Sequence, residues 1–475
     1  MGKIYLNSEV FGETVEANPQ GTPIDSLSSI KINQNIYSIS GGGSGDYMEK
    51  GVDYVTAGQP DNMEHPGDST TMEGYQTEAY GDYAHAEGYC TTAGYIVEDE
   101  YQSITRYGES AHSEGGNTSA FGIGAHAEGK YTLAAGRSSH TEGEYTTAGY
   151  AQTDEYGTVY YGQSPHAEGY CTCARSDYSH AEGYGTIAYG AGAHAEGNST
   201  TAGDTDEYGT SFYGDYSHAS GSYTKSSNEN SFAIGHYNAS MTTGGTSSNT
   251  DGTAFVVGNG TSSSNLSNAF SVEFDGTTSA AGTFTAASSQ DYAEFFEWAD
   301  QNVEEEDRVG LFVTFDENET DKIRIASSAD DYILGIVSGS PFVLGNGDCS
   351  VWNGMFLRDS FGRKRMEPAP KMKETDEGLV PEVDEHGEII FQGTKPIINP
   401  EYDSTQPYIK RSERPEWDAI GMLGILAVYD DGTCIPGKYC TVAEDGIATF
   451  AEEENKNCYR VIKRIDENIV KVVFR

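Results

Sequence analysis

The sequence is poor in basic residues, and this excludes two classes of partner. Lys and Arg total 28 against 74 Asp and Glu, which gives a formal net charge of −46. Because phosphate backbones and anionic membrane surfaces are bound by clustered Lys and Arg, we expect no nucleic-acid partner and no membrane-surface partner. No stretch approaches the ~18 consecutive apolar residues of a transmembrane helix, so we also expect no membrane insertion.

Paired cysteines and apolar residues are scarce as well. The seven cysteines lack paired spacing, so the sequence predicts neither a disulfide framework nor a zinc site, and we expect no metal and no cofactor. The first residues do not follow a signal-peptide pattern, and we therefore expect folding in a cytoplasm.

Only 36% of residues are hydrophobic, whereas 58 are Gly and 33 are Tyr. Such a chain cannot fill thick cores along its length, and thin, repetitive β-structure is the expected fold class.

An internal repeat of 14 residues runs through the first part of the chain. The motif His-Ala-Glu-Gly or a near variant begins at eight histidines: His85, His112, His126, His140, His166, His180, His194 and His218. Four intervals are 14 residues, and the other three add 13, 12 and 10 residues. Each repeat holds two short β-type segments followed by a Gly that can turn the chain. One such coil encloses little volume, so we expect coils to stack on their neighbours and on other chains.

These repeats resemble the head repeats of trimeric autotransporter adhesins and, more closely, similar repeats in phage tail fibres. The resemblance covers roughly residues 68–240, and Asn230–Gly235 matches the adhesin form well. It implies a homotrimer built on a left-handed parallel β-roll.

The three longer intervals contain inserts that read as β-hairpins projecting from the roll. Each insert carries acidic residues and tyrosines, and its flanks suit strands. Tyr offers a large contact area with a polar tip, so these side chains are candidates for binding a host cell-surface glycan or protein. The candidates are Tyr101, Tyr156, Tyr160, Tyr161, Tyr208 and Tyr213.

The His and Glu of each repeat lie two residues apart and share one face of a strand. Phe232 and Ile234 hold the same positions in the last coil, which favours a face that points into the roll. We expect a ladder in which each His hydrogen-bonds a Glu; metal binding by stacked His and the reverse orientation, with Ala inside, are the alternatives. The ladder comprises His85, Glu87, His112, Glu114, His126, Glu128, His140, Glu142, His166, Glu168, His180, Glu182, His194 and Glu196.

The charge balance changes near Gln290: residues 1–290 hold 8 basic and 36 acidic residues, and residues 291–475 hold 20 and 38. The segment after this boundary, Asp291-Tyr-Ala-Glu-Phe-Phe-Glu-Trp298, resembles the start of the intramolecular-chaperone autoproteolytic domain of phage tail fibres, tailspikes and neck appendages. In such proteins the domain trimerises, helps the preceding fibre fold and then cuts just before the Asp. The resemblance implies cleavage at Gln290–Asp291, with Asp291 and Glu294 as the catalytic pair. In a turn or helix start, both carboxylates could face that bond.

The expected organisation is a mainly β, elongated homotrimer with five parts. These are an N-terminal attachment module (1–40), a linker (41–67), head repeats with hairpins (68–240), a triple-stranded, interwoven β-stem (241–290) and an α+β or β-rich chaperone domain (291–475). The expected function is a phage or prophage tail-fibre or appendage protein of the virion tail, assembled in the host cytoplasm. It would dock on the tail or baseplate through its N-terminus, bind the host surface and act as an enzyme only in cutting itself once. A trimeric surface adhesin and a capsule-degrading tailspike are the alternatives.

Overall fold

The computed structural model describes residues 29–32, 35–38, 49–50, 54–59, 66–98, 104–154, 157–205, 212–241, 252–285, 290–347, 354–375, 378–452 and 457–475. These residues form two compact units. The first ends at Gly282 and also includes the later segment Pro368–Lys395, and the second comprises Thr283–Glu367 and Pro396–Arg475. The protein is mainly β, as the composition predicts.

Two parallel sheets make up the repeat region, because every 14-residue coil contributes one strand to each. The first sheet takes the His-containing strands: Thr70–Tyr75, His85–Tyr89, His112–Gly116, His126–Ala127, His140–Glu144, His166–Tyr170, His180–Tyr184, His194–Asn198, His218–Ser222 and Phe232–His236. The second takes the shorter strands: Glu78–Ala79, Thr92–Ala93, Ser119–Ala120, Leu133–Ala134, Thr147–Ala148, Cys173–Ala174, Ile187–Ala188, Thr201–Ala202 and Lys225–Ser226. Equivalent residues pair directly, so that His166 lies opposite His180 and Ala167 opposite Ala181.

The first sheet continues beyond the coils at both ends. Glu49–Lys50 and Tyr54–Gln59 precede the coils, and Thr253–Asn259, Asn268–Glu273 and Thr278–Ala280 follow them. The last three strands lie in the segment predicted as a stem. Of residues 1–40, the described strands Ser29–Ile32 and Asn35–Ser38 form an antiparallel pair, and the rest of the predicted attachment module lies outside the described residues.

The core between the two sheets consists of small side chains. In one coil Ala181, Thr186, Ala188 and Ala193 are each at most 1% exposed, and equivalent Ala, Thr and Ser residues are buried in the other coils. Met72 in the first coil is a larger buried side chain. With mostly small groups inside, each coil buries little apolar area and depends on its neighbours for stability.

The His–Glu face points away from this core, which corrects the preferred orientation. The Ala between His and Glu is fully buried, whereas the His and Glu side chains are about one-third exposed. Phe232 and Ile234 lie in the same outward columns and are also half-buried. The alternative with Ala inside is therefore the correct one, because the positions that point between the sheets are occupied mostly by Ala, Ser and Thr, with Met72 in the first coil.

Three antiparallel strand pairs lie where the inserts were predicted to form hairpins. They are Tyr95–Glu98 with Ile104–Tyr107, Tyr150–Asp154 with Gly157–Tyr161, and Asp204–Thr205 with Phe212–Tyr213. Each pair starts after a Gly with positive φ at the same corner of its coil: Gly94, Gly149 and Gly203. The coils on either side remain in register, since His140 still pairs with His166.

The second unit is built around one ten-stranded sheet. Its strands are Asp291–Glu297, Phe312–Phe315, Ile323–Ile325, Gly335–Val337, Val343–Gly345, Trp417–Tyr429, Tyr439–Val442, Ala448–Ala451, Tyr459–Asp466 and Ile469–Phe474. The long strand Trp417–Tyr429 pairs with Asp291–Glu297, Gly335–Val337 and Ile469–Phe474. Two buried apolar clusters, one around Trp298 and one around Phe312, pack against this sheet.

Two further strand pairs, Met366–Pro370 with Phe391–Pro396 and Met372–Thr375 with Gly378–Pro381, lie in the stretch between these strands. The only helical segments in the described part of the chain are the 3-10 turns Arg411–Glu413 and Glu444–Gly446. The C-terminal unit is therefore β-rich and not α+β over these residues. No helix among them is long and apolar enough to cross a membrane.

Candidate functional site

The predicted scissile bond, Gln290–Asp291, lies at the start of a β-strand in the second unit. Strand Asp291–Glu297 runs antiparallel to Trp417–Tyr429, with Asp291 opposite Gly424. The N–H of Ile425 donates a hydrogen bond of 3.2 Å to the Gln290 carbonyl oxygen, and the N–H of Phe342 donates one of 2.8 Å to the Asp291 carbonyl oxygen. The peptide bond between Gln290 and Asp291 is thus held by backbone contacts on both sides.

Glycines on the opposite strand make this close approach possible. A Cβ added to Gly424 would lie 2.3 Å from the Gln290 carbonyl oxygen and 2.7 Å from the Asp291 Cα. A Cβ on Gly421 would lie 3.0 Å from the Asp291 Oδ2. Glycine within a strand marks close approach of another backbone, and here that backbone is the candidate cleavage site.

The Asp291 side chain is buried, with 7% of its surface exposed, and its Oδ2 atom has no hydrogen-bond partner among the described residues. Burial raises the pKa of this carboxyl, while hydrogen bonds from the Ser338 hydroxyl and from the Asp291 N–H oppose the increase. The carboxyl therefore stays protonated to higher pH than an exposed aspartate does. It also lies within hydrogen-bond reach of the nitrogen of the candidate scissile bond.

A pocket of about 340 Å³ opens beside the bond. Its polar lining includes Gln290, Asp291, Ser338 and Lys471, and the Nζ of Lys471 lies 3.4 Å from the Oε1 of Gln290. The pocket has room for a water molecule beside Gln290 and Asp291.

Glu294 lies on the other face of the strand. Side chains alternate along the strand: Asp291 and Ala293 are buried, whereas Tyr292 and Glu294 are half-buried. Glu294 accepts a hydrogen bond from the Tyr292 hydroxyl, which raises the pKa of Tyr292. The two carboxylates were expected to face one bond from a turn or helix start, but the segment is a strand and does not bring them together within one chain.

The opposite strand and the residues around the pocket were not identified from the sequence. Gly421, Gly424, Ser338 and Lys471 come close to Asp291 through long-range pairing. The spacing of two glycines within an apolar strand-like run at 417–429 is the signal that could have indicated Gly421 and Gly424.

Of the predicted contact tyrosines, Tyr161 and Tyr213 are 40% and 52% exposed. Tyr160 lies in the strand Gly157–Tyr161, and Tyr101, Tyr156 and Tyr208 lie outside the described residues. Exposed tyrosines also line the coils themselves, where rings stack between neighbouring repeats: Tyr75 on Tyr89, Tyr131 on Tyr145, and Tyr170 on Tyr184. The predicted contact surface is limited to the inserts, although Tyr89, Tyr170 and Tyr184 directly follow the repeat motif.

The His and Glu residues of the predicted ladder form continuous columns along the first sheet. Imidazole rings of neighbouring coils stack, for example His126 on His140 at 4.9 Å between ring centroids. Burial and neighbouring imidazoles lower the pKa of His112, His126 and His166. Hydrogen bonding with Glu142 and Glu114 raises the pKa of Glu128 to about 7. The expected His–Glu hydrogen bonds are not formed, because the nearest Nε2 and carboxylate oxygens are 3.5–4.0 Å apart.

Comparison with known proteins identifies a matching family and several relatives. Residues 239–469 match the family Peptidase_G2, described as the IMC autoproteolytic cleavage domain. The chain is 34% identical over 171 residues to the pre-neck appendage protein of Bacillus phage B103 and 33% identical over 172 residues to the preneck appendage protein of Bacillus phage PZA. Each alignment covers 36% of this chain and 17% of the relative, so only about a sixth of each relative's length is matched.

Among solved structures, the C-terminal fragment of bacteriophage phi29 gene product 12 is similar at 26% identity, with a TM-score of 0.29, over 39% of this chain and all of the fragment. The candidate bond Gln290–Asp291 lies inside the stretch that matches the autoproteolytic family. The chain is thus related to phage pre-neck appendage proteins and carries a region similar to the IMC autoproteolytic cleavage domain.

Proposed function

We propose that this chain is a phage or prophage appendage or tail-fibre protein whose C-terminal region cuts the chain once, between Gln290 and Asp291. The observation that carries the proposal is the buried, protonatable Asp291 carboxyl, held at the nitrogen of a bond whose carbonyl is already hydrogen-bonded by the Ile425 N–H. The match of residues 239–469 to an autoproteolytic family supports it.

The chemistry is hydrolysis of one peptide bond. Water in the pocket adds to the Gln290 carbonyl carbon, and the Ile425 N–H stabilises the charge that develops on the carbonyl oxygen. The C–N bond then breaks as the Asp291 carboxyl gives its proton to its own backbone nitrogen. The products are a carboxylate at Gln290 and an ammonium group at Asp291: one of the two water protons restores the Asp291 carboxyl, and the other ends on the new amine. Asp291 is thus the proposed general acid.

The role of Glu294 follows from its orientation. Within one chain Glu294 lies on the far face of the strand, so a direct role requires that it act on the bond of a neighbouring chain in a homotrimer. Three chains held in register by the C-terminal region would let slow, long-range β-pairing proceed in the preceding fibre. Removal of that region afterwards would make the fibre kinetically stable.

The protein is also proposed to be a component of the virion. Relatives named as pre-neck appendage proteins support association with the virion neck. Assembly in the host cytoplasm is part of the same proposal. The coils, as a left-handed β-roll shared by three chains, form a stiff rod. The exposed tyrosines of hairpins and coils then face the host surface, where stacked aromatic rings suit sugar or protein contact.

Intact mass after expression tests the cleavage. The unmodified chain is expected to yield two products that join at Gln290–Asp291, whereas Asp291→Ala is expected to remain whole at 51.2 kDa. Glu294→Ala is expected to remain whole when expressed alone. Co-expression of the two variants should restore partial cleavage, confined to the chain that keeps Asp291, because its neighbour supplies Glu294. An unmodified chain that stays whole under all conditions would defeat the proposal.

The rate of cleavage should depend on pH through Asp291. Its carboxyl donates the proton, and burial raises its pKa, so the rate is expected to fall as pH rises through that raised value. Ser338→Ala removes a hydrogen bond that favours the charged form and should move this fall to higher pH. Ser338→Thr keeps a hydroxyl and should restore the original profile. A rate that increases with pH, or a Ser338→Ala profile that does not move, would argue against Asp291 as the acid.

A further inference from the structure

The outward His–Glu columns contain nitrogen atoms that lack partners. The Nε2 atoms of all eight repeat histidines have no access to water and no hydrogen-bond partner among the described residues. For six of them, all but His140 and His180, a carboxylate oxygen lies 3.5–4.0 Å away, as for His85 with Glu87 and His126 with Glu128. These separations are too long for a hydrogen bond.

The same separations fit two ligands of one small divalent ion. With metal–ligand bonds of ~2.0–2.2 Å, two ligands in tetrahedral geometry lie about 3.4 Å apart, and wider angles increase that distance. In four places one His nitrogen and two Glu oxygens come within 4.8 Å of one another. These clusters are Glu114–His126–Glu128, Glu128–His140–Glu142, Glu168–His180–Glu182 and Glu182–His194–Glu196.

The clusters fall into two sets, each within a stretch of uninterrupted coils. The first set shares Glu128 and the second shares Glu182. A groove of about 700 Å³ runs along the first set and is lined by Glu87, Glu114, Glu128 and Glu142. The repeat glycines form its remaining walls, so the groove can admit an ion together with the waters that complete its coordination.

We propose that each set binds one divalent transition-metal ion of the zinc class, so that the coils of one chain bind two ions. An imidazole ligand favours such an ion over Mg²⁺ and Ca²⁺, which prefer oxygen ligands only. One ion per set is the expected stoichiometry, since the two clusters of a set share one glutamate. Binding would satisfy imidazole nitrogens that are otherwise unpartnered and would offset repulsion among stacked carboxylates. The proposal does not depend on self-cleavage.

Calorimetric titration of the chelator-treated full-length protein with Zn²⁺, in physiological salt and excess Mg²⁺, tests this site. Two ions per chain are expected. The double variant Glu128→Gln/Glu182→Gln keeps the side-chain shape and should weaken Zn²⁺ binding at least roughly tenfold, the lower end of what loss of even an outer-sphere partner causes. Circular dichroism establishes that the variant is folded.

His85→Ala is the matched control, because His85 stands in the same column but in none of the four clusters. It should bind two Zn²⁺ ions with unchanged affinity. The proposal is wrong if Zn²⁺ does not bind, if the double variant binds it as well as the unmodified protein does, or if Mg²⁺ displaces it at comparable concentration. Each of these measurements reports Zn²⁺ binding, so none of them is affected by whether the Gln290–Asp291 bond is cut.

Discussion

Gly424→Ala is expected to abolish self-cleavage and to destabilise the C-terminal sheet by roughly 4–5 kcal/mol, the upper range for a point substitution. The new Cβ would lie 2.3 Å from the Gln290 carbonyl oxygen and 2.7 Å from the Asp291 Cα, and Gly424 has a φ of +129°. Both atoms belong to the backbone, so no side-chain rotation can relieve the overlap. The strand Asp291–Glu297 would have to move away, and the Ile425 N–H would lose the scissile carbonyl.

Gly437→Ala is the matched control for this substitution. Gly437 also has a positive φ, +80°, but nothing lies within 4 Å of its added Cβ. It should cost only about 1–2 kcal/mol from backbone strain and leave cleavage intact. Thermal unfolding and intact mass report the two effects. Equal melting temperatures and equal cleavage in the two variants would show that close packing at Gly424 is unimportant.

Gly183→Ala is expected to destabilise the coils severely, by about 4 kcal/mol or more. Gly183 has a φ of +106°, and an added Cβ would lie 2.3 Å from the carbonyl oxygen of Gly197 in the next coil. Equivalent glycines repeat this contact along the first sheet, for example Gly169 against Gly183 at 2.2 Å. The substitution therefore pushes apart two neighbouring coils whose backbone pairing, thin core and stacked His180 and His194 rings all require close approach.

Gly185→Ser, two residues away, provides the comparison. Gly185 has a φ of +65°, but the equivalent residues of neighbouring coils are Cys171 and Ser199, with φ of +55° and +53°. This position therefore already accommodates side chains, and the change should cost about 1–2 kcal/mol. Thermal denaturation followed by circular dichroism measures both variants. If Gly183→Ala is as stable as Gly185→Ser, inter-coil backbone contact is not what selects glycine.

The sequence predicted the coils well because their information is local and periodic. A His every 14 residues sets the register, and strand pairing of equivalent residues follows from it. Orientation was predicted incorrectly, because Phe232 and Ile234 indicate an apolar environment without saying whether the core or another surface supplies it. The core between the two sheets decides this, since the residues buried there are mostly Ala, Thr and Ser, whereas the His and Glu side chains are partly exposed.

The sequence predicted only part of the candidate cleavage site, because the rest depends on contacts between segments that are distant in sequence. Gln290–Asp291 and Glu294 were identified from a local segment, but its conformation depends on a strand that is distant in sequence. Pairing with Trp417–Tyr429 makes the segment extended, places Glu294 on the opposite face from Asp291 and brings Gly424 against the bond. None of these contacts has a signature within the segment itself.

The three inserts all leave their coils at one corner, between two glycines, and the strands before and after each insert keep their pairing. Changes in insert length or composition therefore have no reason to disturb the coils that carry them. Mutation and recombination can replace whole hairpins while the scaffold is preserved. We expect variation among related sequences to concentrate at these three positions, while the coils between them keep their length and register.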